Sequence, residues 1–468
     1  MKRKGLTVKN KKGLNKLFVF AILIIISSLN TYVFATDTEK AKSIANLATF
    51  SADGNRVGMD VLTDENLSTT YKFEEAQSIK ITSKESIANI YIIFHKTPQM
   101  WKLTTQDGQQ SPYGRYGFLH ELVELSEGQN EVQLLFEANT EISDIYLFTK
   151  GELPNNVEKW QPPYEDADML LLPTHAGDEY LYFGGILPLY AGEFNKKVQV
   201  AYFVNHSEEP NRQHELLEGL WHVGVKAYPI IPKFKNNKSD SLEHAKSLYD
   251  TDEILKYQVE LIRRFKPEVV VGHDVNGEDE DGIHMLNTHL LMQALELSKN
   301  QEQMLDSYQL YGAFDVLKTY LHSFETNHIT LNFDVPLSQF SQKTAFEMAK
   351  EGLEKNKSQF KNATLVQSGK NDCRNFGLFR STVGIDISKD NLFENITKPA
   401  QSIVSSKPTS SGNQATSSQE TTSQPTVTTN HEESKREIKG SLFIIAGIFI
   451  VVFTFKRMNK KKLNSMKR

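Results

Sequence analysis

From residue 163 onward the chain alternates between short apolar runs and amphipathic stretches, and this alternation restricts its fold more than any other feature. ADMLLLPTH predicts a strand, YLYFGGILPLYAGEF a helix, VQVAYFVNH a strand and RQHELLEGLWHVGV a helix. AYPIIP follows as a third strand, residues 244–265 as a long helix ending in basic residues, PEVVVGHD as a fourth strand and 284–298 as a helix. Strands alternating with helices imply a doubly wound, Rossmann-like α/β sheet that is mostly parallel. Ligands of such sheets gather beyond the carboxyl ends of the strands. His175 follows the first strand, His206 ends the second and residues 274–284 follow the fourth, so separate segments converge on one rim. Residues 310–396 add HITLNFD, TAFEMAKEGLEKN and FGLFRSTVG, with apolar content enough for further folded structure.

The segment before this block reads differently. SIKITS, NIYIIFH, EVQLLFEA and DIYLFTK are short β-rich runs spaced by Asp, Gly, Asn and Ser turns, which predicts an antiparallel β-sandwich over 40–155. Trp101, Tyr113, Tyr116 and Phe118 can form an aromatic platform for a sugar face, or fill the core. The expected organisation is thus a sandwich, a possible carbohydrate-binding module, followed by an α/β domain over 160–396.

Both ends carry export signals. Seven Lys/Arg within residues 1–16 precede an apolar stretch, and Val33-Phe34-Ala35 fits a cleavage site, so 1–35 reads as a signal peptide; a retained anchor is the other reading. Residues 398–437 are rich in Ser, Thr, Gln and Pro and read as a stalk. Residues 438–455 are expected to form a membrane helix, and the basic tail 456–468 places itself in the cytoplasm. The chain is therefore expected to be an exported, single-pass membrane protein of bacterial type with an extracellular ectodomain. Setting aside the seven cationic residues at each end turns the formal charge of −5 into −19 for what lies between. Such a surface repels polyanions, so nucleic acid is excluded as a partner and a neutral or amino-bearing glycan is favoured. The single cysteine, Cys373, excludes an internal disulfide framework.

Two motifs carry chemistry. LLLPTHAGDEYLYFGG at 170–185 places His175 and Asp178 on a loop after a strand, and GEDEDGIHMLNTHLL at 277–291 places His284 at the start of a helix. Two imidazoles and one carboxylate make a three-ligand site that keeps a coordination position open, as hydrolytic Zn2+ requires. There is no GxGxxG, Walker loop, HExxH or Cys-rich cluster, so dinucleotide, phosphoryl-transfer and zincin chemistry lack support.

These motifs resemble the PIG-L (LmbE-like) family of zinc-dependent deacetylases, with similarity running through RQHELLEGLWHVGV, FKPEVVVGHDVNGE and LKTYLHSF. The resemblance implies His175, Asp178 and His284 as zinc ligands. It places Gly177 where the family has its general-base Asp, and Asp281 where it usually has a second His. Arg212 and Glu215 match the family's Arg-x-x-Glu, so Arg212, together with Asp274 and Asn276, is expected to bind substrate or orient the loop. The implied activity is removal of N-acetyl groups from an N-acetylglucosamine-type sugar or cell-surface glycan. With Gly177 unable to move a proton, either another acid takes over, Glu179 or one of residues 278–281 with Asp281 foremost, or the protein binds glycan without turning it over.

Overall fold

The computed structural model describes residues 39–52, 58–359 and 364–396. All of them belong to one compact unit, Met1–Pro408; the other, Thr409–Arg468, lies outside the described residues. The expected signal peptide, stalk and membrane helix also lie outside them. Among the described residues no helix is long and apolar enough to cross a membrane.

The first half is antiparallel throughout. Strands β1 (Ala48–Ala52), β2 (Tyr71–Lys72), β3 (Gln77–Phe94), β4 (Trp101–Thr105), β5 (Gln110–Tyr113), β6 (His120–Phe136) and β7 (Glu141–Phe148) pair in the order β2-β7-β3-β6-β4-β5, with β1 on β3. The runs SIKITS and NIYIIFH, expected as two strands, are one strand, β3. Its pairing with β6 shifts register between Thr82 and Asn89, and that irregularity carries it from one part of the sheet to another. Hydrogen bonding therefore joins seven strands in a single sheet, not two. Around Ile90–Phe94 both faces of β3 are covered, Ile90 and Ile92 by the main core and Tyr91 and Ile93 by a second cluster with Phe148 and Val157.

The second half is a mixed six-stranded sheet. Strands β8 (Met169–Leu171), β9 (Val198–Val200), β10 (Val269–Gly272), β11 (Lys318–His322), β12 (His328–Thr330) and β13 (Asn375–Ser381) lie in the order β12-β13-β11-β10-β8-β9. The pairs β9–β8, β8–β10 and β10–β11 are parallel, while β13 and β12 run antiparallel at the β11 edge. Strands β8 and β10 are buried on both faces, as continuous Met/Leu and Val runs demand. Helices α1 (Asp178–Leu181), α2 (Pro210–His222), α3 (Leu242–Leu248), α4 (Thr251–Phe265), α5 (Gly282–Ser298), α6 (Leu305–Tyr311) and α7 (Ala345–Leu353) complete it.

Three sequence expectations change here. AYPIIP makes only isolated bridges, Ala227 with Gln161 and Ile230 with Ala201, because Pro229 and Pro232 have no N–H to give a ladder. The expected helix over YLYFGGILPLYAGEF stops after α1, since Gly184 takes a positive φ of 50°, and resumes as a π-helical segment at Leu187–Glu193. The long helix over 244–265 is two, because Asp250 accepts from the N–H groups of Asp252 and Glu253 and caps α4 anew.

The two sheets share a packed junction. The ring of Phe118, which directly precedes Leu119 and β6, stacks on Tyr228 at 4.7 Å, and Leu119 N–H donates to the Tyr228 hydroxyl at 3.1 Å. His120 lies 2.6 Å from the Glu158 carboxylate and 2.8 Å from His214, all three buried. Trp101 (2 % exposed) and Phe118 (7 %) belong to the core, so of the four aromatics weighed as a sugar platform Tyr116 (52 %) is the open one. Replacing Phe118 with Ala should cost about 3–5 kcal/mol, the usual penalty for emptying an aromatic core position. Urea unfolding measures this, and a loss below about 1 kcal/mol would mean that the stack does not couple the two halves.

Candidate metal centre

The loop after β8 is held by an unusual set of bonds. Four consecutive backbone N–H groups each donate to a side chain: Thr174 to His273 Nε2 (3.0 Å), His175 to Asp178 Oδ2 (2.7 Å), Ala176 to His206 Nε2 (3.1 Å) and Gly177 to Glu179 Oε2 (2.8 Å). His206 follows β9 and His273 follows β10, so neighbouring parallel strands fix the loop from both sides. Gly177 sits at φ +102°, a conformation that L side chains rarely adopt, and it opens α1. Gly177 thus has a backbone role of its own.

Within this frame three donor atoms meet. Asp178 Oδ2 is 2.9 Å from His284 Nε2 and 3.3 Å from His175 Nδ1, and the two ring nitrogens are 3.2 Å apart. A tetrahedral ion with ligands at about 2.0–2.1 Å needs ligand–ligand edges of about 3.3 Å, so the three atoms fit one face of such a polyhedron. His284 Nδ1 faces the Glu278 carbonyl oxygen at 3.2 Å, which makes it the N–H donor and turns the Nε2 lone pair inward. A lone pair and a carboxylate oxygen 2.9 Å apart require a cation between them, either a proton or a metal. Burial opposes charging of His284, but Asp178 outweighs it and pushes the pKa up to about 9. Asp178 is held well below the usual carboxylate range, His284 and His175 overcoming its burial.

Behind the donors lies a buried ionic layer that the sequence did not announce. Glu278 (2 % exposed) accepts from Asp274 N–H (3.1 Å) and lies 2.9 Å from His322 Nδ1 and 3.3 Å from His273 Nδ1. The acidic run at 278–281 reads as a solvated loop, yet its first residue points inward. Against the burial that would raise it, His322 and His273 hold the Glu278 carboxyl well below its usual range. His322 faces a second acceptor, the Asp372 carbonyl, at 3.1 Å, and its pKa is raised.

The remaining expected residues are placed as follows. Asp281 accepts from Ile283 and His284 N–H and caps α5, the helix that delivers His284. Glu179 is fully buried, and burial first and Asp178 second push its carboxyl up to about 8. Arg212 donates to the Ala176 carbonyl at 3.4 Å and to Glu209 at 3.1 Å, while Glu215 turns away to Ser358. Asp274 accepts from Asn276 N–H and its amide within the turn that leads to Glu278, and Asn276 is exposed. Tyr182 was not singled out from the sequence. Its ring lies 5.5 Å from His284 and 5.7 Å from His273, and its hydroxyl donates to Asp279 at 2.9 Å. The signal was present: Tyr182 is one helical turn beyond Asp178.

No family model matches this chain, and no curated protein matches it. Solved structures match in part. N,N'-diacetylchitobiose deacetylase from Pyrococcus horikoshii is 16% identical over 43% of this chain and 73% of its own, with a TM-score of 0.32. A conserved protein from Thermus thermophilus, TT1542, is 17% identical over 42% of this chain and 81% of its own, at 0.30. CpGH89CBM32-6 of Clostridium perfringens is 16% identical over 23% of this chain and 100% of its own, at 0.21. The reading of the centre rests on its own residues.

Changing His175, Asp178 or His284 to Ala should each strip a bound divalent ion, measured as metal per chain; full occupancy in all three would refute the assignment. The pH dependence has a definite sign. In the metal-free protein the raised His284 pKa stabilises the fold fully below about 6.5, and this contribution fades as pH rises through 9. Metal uptake displaces that proton, so apparent affinity for a divalent ion in a chelator competition should rise with pH up to about 9 and then level off.

Proposed function

We propose that the chain is a zinc-dependent hydrolase that removes N-acetyl groups from an N-acetylglucosamine-type sugar or cell-surface glycan, exported and anchored in the membrane through the apolar run within 438–455. The observation that carries the reading is the meeting of His175, Asp178 and His284 donor atoms at 2.9–3.3 Å with the His284 lone pair turned inward. Two imidazoles and a carboxylate suit zinc, and leave a position free as hydrolytic sites do. A zinc ion held there supplies charge stabilisation for an acyl oxygen and a nucleophilic water at neutral pH. The Rossmann-like reading of the parallel strands β9-β8-β10-β11 and the carbohydrate-binding reading of the antiparallel sheet belong to the same proposal.

The chain's own groups must then move the proton. Glu179 is sealed in the core, Glu278 is occupied by two histidines and Asp281 by a helix N-terminus. Asp279 differs. It is exposed, and its carboxylate is aimed by Tyr182 Oη at 2.9 Å and by the Asn371 amide at 2.6 Å, with the Tyr182 ring packed beside His284. A carboxylate open to solvent and fixed by two donors, one of them a tyrosine whose ring packs beside His284, is suited to general acid–base work. Arg212, bonded to the carbonyl of Ala176, holds the ligand loop.

Zinc-loaded protein should release acetate from N-acetylglucosamine oligosaccharides. Asp279→Asn should lower kcat by about 100-fold, the usual weight of a general acid–base group, with zinc content unchanged. Gly177→Asp places a carboxylate at the family's position, but at φ +102° it should cost at least about 1–2 kcal/mol of stability, so any gain in rate comes with a lowered Tm. A second reading follows from Gly177 itself, which has no side chain to serve as a base: a glycan-binding surface protein without turnover. Wild-type protein that holds zinc and still releases no acetate would decide for it.

A further inference from the structure

The junction of the two sheets forms a groove of about 540 Å³, apart from the metal centre. That volume suits a small-molecule or short oligomeric ligand. Tyr116 lines it from the antiparallel side, and Tyr228, Asn205, Ser207, Gln213 and Lys233 from the other. Neither half forms it alone.

The aromatic part is rigid. Tyr116 stacks on Phe118 at 5.5 Å, and Phe118 stacks on Tyr228 at 4.7 Å, so the exposed ring rests on a buried one that is itself held in a stack. A ring fixed in this way loses little freedom when a ligand packs on it. The polar part is neutral. Ser207 donates its hydroxyl to Asn205 Oδ1 at 2.8 Å, which leaves the Ser207 oxygen as an acceptor and the Asn205 amide nitrogen as a donor beside the Gln213 amide, and Lys233 is paired with Glu253 at 2.5 Å. Arg115, open to solvent, places its guanidinium over the Tyr116 ring, 5.5 Å from the centroid. The groove thus lacks the unpaired buried cation that a phosphate or sulfate would select. Aromatic face plus amides and hydroxyls is the complement of an uncharged sugar, whose C–H face is apolar and whose rim is polar.

The groove also borders the ligand loop. Asn205 and Ser207 flank His206, and Gln213 follows Arg212; His206 and Arg212 are the two residues that hold Ala176 by its N–H and its carbonyl. One segment therefore shows alternate side chains to the loop and to the groove. We infer that this groove is a distal subsite for an uncharged oligosaccharide of N-acetylamino sugars, holding one stretch of the chain while another reaches the metal centre. The inference rests on the glycan substrate class proposed above.

Calorimetric titration of the full-length protein with the N-acetylglucosamine tetramer tests it, with the metal chelated so that binding is read without turnover. The wild type should bind the tetramer more tightly than the monosaccharide. Tyr116→Ala, and independently Ser207→Trp, which fills the groove, should each weaken tetramer binding about ten-fold, the order expected for losing one stacking ring, and leave zinc content unchanged. Tetramer affinity equal to wild type in both variants, or no tetramer binding by the wild type, overturns the subsite. Failure of the hydrolase reading looks different: tetramer binding that depends on Tyr116, with no acetate released.

Discussion

The four consecutive N–H groups of Thr174, His175, Ala176 and Gly177 have no strand or helix to satisfy them, and a buried N–H without an acceptor costs about 1–3 kcal/mol. Side chains from three places supply the acceptors. His273 comes from the end of β10, His206 from the end of β9, and Asp178 and Glu179 from the loop's own exit into α1. Each acceptor has a second task. His273 leans on Glu278, Asp178 offers the same oxygen to the ligand set, and His206 stands beside the segment that reaches the groove. The loop's conformation, the direction of the donor atoms and the register of neighbouring strands are therefore one problem with one solution.

Burying so many ionisable groups is expensive unless each charge is answered. Here the answer is layered. Asp178 is answered by the imidazoles of His284 and His175, and Glu278 by His322 and His273. The Glu278 carbonyl also orients His284, so a single residue serves the ionic layer with its side chain and the ligand set with its backbone. A divalent ion would replace the proton that Asp178 holds on His284, exchanging one answered charge for another without moving the loop. The position of Gly177 follows the same logic: its N–H binds Glu179 at a φ that a side chain would strain, so the loop geometry and the missing carboxylate are linked.

The junction of the two sheets obeys similar rules with apolar material. Phe118, Tyr228, Trp160 and Trp221 pack ring on ring, and the buried His120–Glu158–His214 chain crosses beside them. Trp160 Nε1 donates to the same Glu158 oxygen at 2.6 Å, so the polar chain is tied into the aromatic one. A groove bounded by such a contact keeps its shape.

The sequence by itself determined the parallel strand block and where its side chains would gather, because apolar runs and polar strand ends are local features that no packing can alter. It brought His175, Asp178 and His284 into one candidate set for the same reason: each follows a strand or opens a helix, and the carboxyl ends of parallel strands share a rim. Local pattern also misled at definite places. Pro229 and Pro232 break a ladder inside an apolar run, Asp250 recaps a helix that periodicity reads as continuous, and a register shift fuses two expected strands into β3. Only the tertiary structure decided the fate of the acids. Glu278, Asp279 and Asp281 are alike in sequence, yet one is buried between histidines from two strands, one is aimed by a tyrosine and an asparagine, and one caps a helix. The partners of Asp279 lie as far as 97 residues away in the chain, and burial and pairing at that range are set by packing, which no run of neighbouring residues records.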